Sequence, residues 1–427
     1  RREHRAGMSD TQGEPAQKKL TIWIVNQYAY TPSENAGTRH FSFARGLREA
    51  GHDAHVVSSS FYHKGRRQVY LADDGPVLKG DVDGVPYVWL RTPAYTGNIS
   101  RLWNMSGFGA RLLLGQASRH LPRPDVIMST SPSPLASAAA LLLARRFRCK
   151  HVLEVVDIWP ATLRDVSGLS GFHPLYAVLR TLERALYQGT DAIITHLGGA
   201  REHFVASGAN PQKCHYLPSP IPFADIPPHE PPPAGDRFRF IHAGAMTPSY
   251  ALDQILDAVD IMVAEDPNAV DRFSIDFVGE GVLMDQLQTR VDASGYREVV
   301  HFRGTVAKAD ILTVLAEADG FLVVSKDLDV HRFGVSFNKI FDSMLVGRPI
   351  ILANRAKGTP VERAQAGIIV EPEAPAQLAR AMTEMMAWQP DERERVGRAN
   401  RDYVLERHSL EGWVEQLMGV LKGLGQG

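Results

Sequence analysis

The chain has 427 residues, enough for two domains with separate cores, and its 47 Lys and Arg against 48 Asp and Glu leave a net charge of −1. That balance excludes the broad basic field of a nucleic-acid binder, and 44% hydrophobic with 22% charged residues is the make-up of a soluble globular protein. Two cysteines, Cys149 and Cys214, support neither a disulfide framework nor a Cys-based zinc site, and the longest apolar run, 135–144, falls well short of the roughly 20 residues that cross a bilayer.

Residues 1–7, ahead of Met8, read as an expression remnant, and the polar run to residue 17 reads as a disordered tail without the apolar segment of an export signal. Residues 20–27 (LTIWIVNQ) predict a strand, 28–37 a loop rich in Pro, Ser, Asn and Gly, 40–50 a helix stopping at Gly51, and 55–59 (HVVSS) a second strand. Strand, helix and strand within about 40 residues have the size of a parallel βαβ unit, in which ligands gather at the carboxyl ends of the strands. Residues 62–95 mix Gly, charge and short strands and predict a hairpin-like excursion or lid. Over 99–121, Leu102, Trp103, Phe108 and Leu112 stand against Arg101, Arg111, Arg119 and His120 in an amphipathic helix. Such a helix either faces the core or lies on an anionic membrane surface.

Strands follow at 125–129, 151–156, 191–195 and 214–217, with a helix at 135–147, completing a first domain over 18–217. The strand at 151–156 ends in Asp157-Ile158-Trp159-Pro160, which poises Asp157 either to meet a sugar hydroxyl in a cleft or to cap a helix beside a buried Trp159. Residues 218–236 are dense in proline and read as a stiff linker. A second alternation occupies 237–388, with strands at 238–242, 274–278, 299–302 and 321–325 and helices at 252–264, 282–293 and 308–316; residues 389–427 are helical. Repeated βα order makes the fold class α/β, with two doubly wound, Rossmann-like parallel-sheet domains joined by the linker.

The most informative stretch is 331–350, HRFGVSFNKIFDSMLVGRPI, where a strand feeds a loop and the loop feeds a helix that opens near 336–338 and stops at Gly347. Free N–H donors, a partial positive charge and Lys339 at that start suit a diphosphate, and Asp342, one turn beyond Asn338, suits a sugar diol. Taken alone, the pattern equally describes an amphipathic helix with a solvated Lys339 and Asp342.

The segment resembles the donor-site helix of retaining GT-B glycosyltransferases of the family 4-like type, particularly the subgroup that transfers N-acetylated amino or deoxyamino sugars in bacterial surface polysaccharides. In the wider family two Glu residues separated by seven positions mark this element. Here Asp342 matches the second and Gly334 stands at the first, which shifts weight to Asn338 and Lys339. The D-x-W-P run resembles the same subgroup. The resemblance implies that Gly37 and Thr38 approach the donor diphosphate, that Arg39 is a phosphate or acceptor contact, and that Trp159 lies on the acceptor side. It implies that turns at Gly244-Ala245, at Gly279 and Gly281, and at Arg303 receive phosphate and base. Catalytic work would fall to Asp157, Lys339 and Arg332, with Asn338 and Asp342 holding the donor and the last helix returning to the first domain.

The implied reaction moves a sugar, expected to be an N-acetylated amino sugar, from a UDP donor to a glycan or polyprenyl-linked acceptor in surface polysaccharide synthesis. No metal or other cofactor and no nucleic acid is expected. The implied location is the cytoplasm, with peripheral contact at the cytoplasmic face of the membrane. Asp327-Leu328-Asp329 imitates the D-x-D metal motif of another glycosyltransferase class but reads here as a loop, and no His cluster has metal-ligand spacing. Two rivals remain from other classes: a UDP-sugar epimerase of the same architecture and a non-catalytic nucleotide- or sugar-binding protein. The lack of an intact G-x-G-x-x-G argues against a nicotinamide dehydrogenase.

Overall fold

A computed structural model describes residues 18–34, 39–63, 66–69, 75–221, 226, 228–233, 235–307, 310–335 and 337–425. Gly37, Thr38, Ser336 and the tail 1–17 lie outside the described residues.

The first half runs β1 (Thr21–Val25), α1 (Arg39–Glu49), β2 (Asp53–Ser59), β3 (Phe61–Tyr62), β4 (Arg67–Gln68), β5 (Val77–Val82), β6 (Val85–Leu90) and α2 (Asn98–Leu113). It continues through β7 (Val126–Thr130), α3 (Pro134–Phe147), β8 (Lys150–Val155), α4 (Ala161–Ser167), α5 (Pro174–Gly189), β9 (Ala192–Thr195), α6 (Ala200–Ala206) and β10 (Cys214–Tyr216). Eight strands form one sheet in the order β10-β9-β8-β7-β1-β2-β6-β5. Every pairing in it is parallel except β5 with β6.

That exception corrects the lid expected at 62–95. β6 pairs in parallel with β2, and β5 runs antiparallel along its outer edge, so the hairpin belongs to the sheet. Tyr87, Val88, Trp89 and Leu90 are all buried, which supplies the apolar area a sheet strand needs. Asp83 and Gly84 both have positive φ, 47° and 81°, the pairing of a two-residue hairpin turn, and the Asp-Gly dipeptide was its sequence signal.

The second half runs β11 (Phe238–Ala243), α7 (Asp253–Glu265), β12 (Phe273–Val278), α8 (Met284–Asp292), β13 (Val300–Gly304), α9 (Ile311–Leu315), β14 (Gly320–Val324) and α10 (Asn338–Leu345). It ends with β15 (Ile350–Ala353), α11 (Pro360–Ala364), β16 (Gly367–Val370), α12 (Pro375–Ala387), α13 (Pro390–Arg407) and α14 (Leu410–Leu424). Its six strands are all parallel in the order β13-β12-β11-β14-β15-β16. The strand order reverses between β11 and β14, and a doubly wound sheet opens a crevice for ligands at the carboxyl ends of such a pair. β15 and β16 are not evident from the sequence, because four-residue apolar runs such as IILA do not reveal their period.

α14 crosses back to the first half. Trp413 is buried and stacks on Phe43 of α1 with ring centroids 3.7 Å apart and planes 9° from parallel. Val414, Leu417, Met418 and Leu421 join it in the apolar cluster containing Ile22, Ile24 and Val56 of the first sheet. No helix among the described residues is long and apolar enough to cross a membrane.

Candidate active site

The crevice between β11 and β14 is lined by the turn after β11 and by the start of α10. Phe337 stands at the N-cap of α10 in extended conformation and brings no side-chain cap, while its carbonyl accepts the Ile340 N–H at 3.0 Å. Lys339, in that first turn, is only 9% exposed. Its Nζ lies 3.5 Å from the centroid of the Tyr250 ring and has no hydrogen-bond partner. Loss of water pulls the ammonium down from its usual range to about 7. A buried amine without an acceptor is an unsatisfied group, and one cation–π contact offsets only part of its cost.

Gly244 is the other wall. A Cβ built there would lie 2.9 Å from Lys339 Cε, so a side chain at 244 would displace the lysine. One residue before Ala243, His242 is fully buried; its Nδ1 donates to the carbonyl of Leu322 at 2.9 Å and its Nε2 is unpartnered. Burial, with Lys339 next, holds its pKa well below the usual value, so the imidazole is neutral. Asn338 is exposed and Asp342 half-buried; four residues apart, they share one helix face.

The other glycine turns are needed for packing. A Cβ at Gly279 would fall 2.1 Å from the Gly244 carbonyl oxygen, and one at Gly281 would fall 2.2 Å from that of Met246. Gly279 N–H donates to Gly304 O at 2.8 Å, and Met246 N–H donates to Glu280 O at 2.9 Å. These glycines let adjacent turns lie main chain against main chain, which stiffens the floor of the crevice under Gly244 and the exposed Ala245. Arg303 is committed elsewhere: its Nη1 pairs with Glu317 at 2.8 Å and Asp276 at 3.3 Å across β13, β12 and the approach to β14. Neutralised by two carboxylates, it is not brought to Lys339.

Across the cleft, Asp157 follows β8. Its carboxylate is solvent-accessible, yet the surrounding walls remove enough water to raise its pKa. Its carbonyl accepts from Ser131 Oγ at 3.0 Å and from Trp159 N–H at 3.1 Å, which fixes the bend carrying the half-buried Trp159. Arg39 opens α1 but is not free for an acceptor. Its Nε donates to the buried Glu154 at 2.8 Å, its Nη1 reaches Ser219 Oγ in the linker, and Nη2 approaches His196 Nδ1 at 3.4 Å. Burial alone would raise the Glu154 carboxyl, but Arg39 and His40 outweigh it and hold it far below the ordinary carboxylate range. Arg39 thus ties the start of α1 to β8 and to Ser219.

Arg332 is exposed and lies over the ring of its neighbour Phe333 at 4.7 Å. The D-x-D imitation binds protein: Asp327 pairs with Arg355 at 3.1 Å and Asp329 with Arg164 at 3.6 Å. Gly334, where the resembled acid pair has its first member, has φ +120° and presses on the first half; a Cβ there would lie 2.8 Å from Gly198 N. A glutamate at 334 would meet that backbone. Among the site residues expected from sequence, Lys339, Gly244, Asn338 and Asp342 share one crevice with the unanticipated Tyr250 and His242. Asp157 and Trp159 lie at the carboxyl end of β8 in the other sheet.

Residues 36–220 match the model of the glycosyl transferase 4-like domain, and residues 237–387 match that of glycosyl transferases group 1. No curated protein sequence matches the chain. Among solved structures, HepE from Anabaena in complex with UDP is 14% identical, with 95% of this chain and 100% of that chain covered and a TM-score of 0.64. Sucrose-phosphate synthase from Thermosynechococcus elongatus is 13% identical, covering 96% and 100%, with a TM-score of 0.65. An E. coli trehalose-6-phosphate structure bound with UDP-2-fluoro glucose is 12% identical, covering 94% and 99%, with a TM-score of 0.71.

Proposed function

From a chain that joins a glycosyl transferase 4-like domain to a glycosyl transferases group 1 domain in a GT-B fold, and is thus a glycosyltransferase, we propose a retaining enzyme that uses a UDP-sugar donor. The sugar is an N-acetylated amino sugar and the acceptor a glycan or polyprenyl-linked glycan in surface polysaccharide synthesis. The observation that carries the donor reading is the buried, unpartnered Lys339 Nζ at the uncapped start of α10.

The chemical problem is the charge that develops on the departing diphosphate. Lys339 and the α10 N–H groups, already aimed and already stripped of water, meet that charge without reorganising and without a metal. Gly244 leaves room for the Lys339 side chain that meets the phosphates, and Asn338 and Asp342 hold the ribose. The raised pKa of Asp157 and its place at the carboxyl end of β8 suit it to orient a sugar hydroxyl. A phosphate oxygen of the donor takes the acceptor proton, so the reaction needs no protein base.

A membrane-facing acceptor is supported by the outer face of α2, α3 and α5. Trp103 and Leu114 are each 69% exposed and Phe172, before α5, is 99% exposed. Between Asn98 and Lys150 there are eight Lys and Arg and one acid, Asp125. Apolar anchors in a stretch with this excess of positive charge fit anionic lipid at this face.

The test is a thermal-shift panel followed by product analysis. UDP at a hundred times its Kd stabilises by about 2.7 kcal/mol, and nuclear magnetic resonance of the product shows the donor's anomeric configuration. Stabilisation by NAD alone, or donor conversion that needs no acceptor, overturns the reading.

A further inference from the structure

Six residues before Lys339, the chain does something that donor binding does not require. The turn Asp329–Phe333 leaves its own domain and is held by the other. Val330 N–H donates to the buried Asp165 carboxylate of α4 at 2.8 Å, and Asp165 is itself held by Arg164 Nε at 2.8 Å. Phe333 is 8% exposed, buried in a first-domain cluster with Ile158, Leu197 and Phe204, its ring 4.9 Å from that of His203. Its carbonyl accepts the Gly199 N–H at 2.9 Å.

Both sides of this seam have shed their side chains. A Cβ at Gly199 would fall 2.8 Å from Arg332 O, and one at Gly198 would fall 2.9 Å from Gly358 O. With Gly334 against Gly198, three glycines allow main chain to touch main chain between domains. A residue with a Cβ at any of these positions would push the facing main chain away, because real Cβ atoms are not found at such distances.

The seam also joins the two halves of the site by short lengths of chain. Ile158, in the same cluster as Phe333, is the residue after Asp157; Phe333 precedes Asn338 and Lys339 by five and six residues. We propose that the segment 329–334 is a docking strap, with Phe333 as a positioning residue that sets the donor helix α10 in register with Asp157 across the cleft. The strap explains why residue 334 is glycine where the resembled family has an acid: the position serves docking. Its catalytic consequence rests on the donor reading given above, but its structural content does not.

Because the donor contacts of α10 and the β11 turn lie within the second domain, loosening the strap separates affinity from turnover. In the full chain, Phe333→Ala is expected to lower kcat at least tenfold, to leave the UDP Kd within twofold by titration calorimetry, and to enlarge the radius of gyration in solution scattering. Phe333→Leu restores kcat to within threefold. Asp165→Ala, which leaves the Phe333 cluster intact, moves kcat the same way and covers the case in which Phe333→Ala fails to fold. Unchanged kcat in both alanine variants overturns the proposal, as does a loss of UDP affinity equal to the loss of kcat. Wild-type protein that does not bind UDP refutes the donor reading instead; the strap is then judged by scattering, and unchanged dimensions on loosening it overturn it.

Discussion

Replacing Lys339 by methionine separates what the lysine costs the fold from what it gives the reaction. Its folded pKa lies near 7 because burial removes water from Nζ, against 10.5 for the ordinary side chain. Above pH 10.5 both folded and unfolded chains carry a neutral amine and no penalty arises. As pH falls from 10.5 towards 7, the unfolded chain takes up a proton that the folded chain refuses, and stability drops by up to about 5 kcal/mol. Below 7 both states are protonated and the loss levels off. Lys339→Met removes this slope, so the variant unfolds at a higher temperature than the wild type at pH 7 and at nearly the same temperature near pH 10.5. Turnover moves the other way. A diphosphate charge at about 4 Å, at an effective dielectric near 20, contributes roughly 4 kcal/mol, enough to keep Nζ protonated in the complex. Loss of that group from the transition state costs about 3 kcal/mol, or about two decades in rate. Differential scanning fluorimetry across pH 7–10.5 and single-turnover transfer assays read the two effects. A variant that is both less stable and less active makes Lys339 a packing residue, and one with full turnover removes it from the leaving-group site.

Arg39→Met leaves Glu154 buried without its main partner and costs about 3–5 kcal/mol at pH 7. Because the Glu154 carboxyl is depressed in the fold, the stability it carries is present above about pH 4.5 and lost as pH falls below that value. Urea unfolding at pH 7 and pH 4 is expected to show the two proteins converging at the acid end, and an equal gap at both pH values contradicts the ion-pair account. Vesicles containing anionic lipid are expected to carry the protein upward in flotation at 0.1 M salt, less so at 0.5 M, and much less after Trp103→Glu with Leu114→Glu. Binding that ignores both salt and the paired substitution excludes this face.

The parts of the molecule legible in the sequence are those written locally. The run from Phe321 into the helix at Lys339, the βα alternation and the bend at Asp157 all rest on near-neighbour patterns, and the structure places Lys339, Asn338 and Asp342 around one crevice. What escaped the sequence depends on partners far along the chain. Arg39 reads as an available cation because Glu154, 115 residues away, sits inside the apolar run HVLEVV. Arg303 reads the same way until Asp276 and Glu317 close on it. Gly279 and Gly281 resemble a phosphate cradle because the pattern cannot distinguish room for a ligand from room for a neighbouring turn. Tyr250 carries no periodic signal, and only the crevice shows that it faces an ammonium.

The stacking of Trp413 on Phe43 means that the N-terminal half is completed by the last stretch of the polypeptide. Severing the molecule in the proline-rich connector would therefore yield one fragment missing its cover over Ile22, Ile24 and Val56 and another trailing a sticky helix. A circular permutant opened in that connector, with its old ends spliced by a flexible bridge, would instead make each lobe a contiguous length of chain.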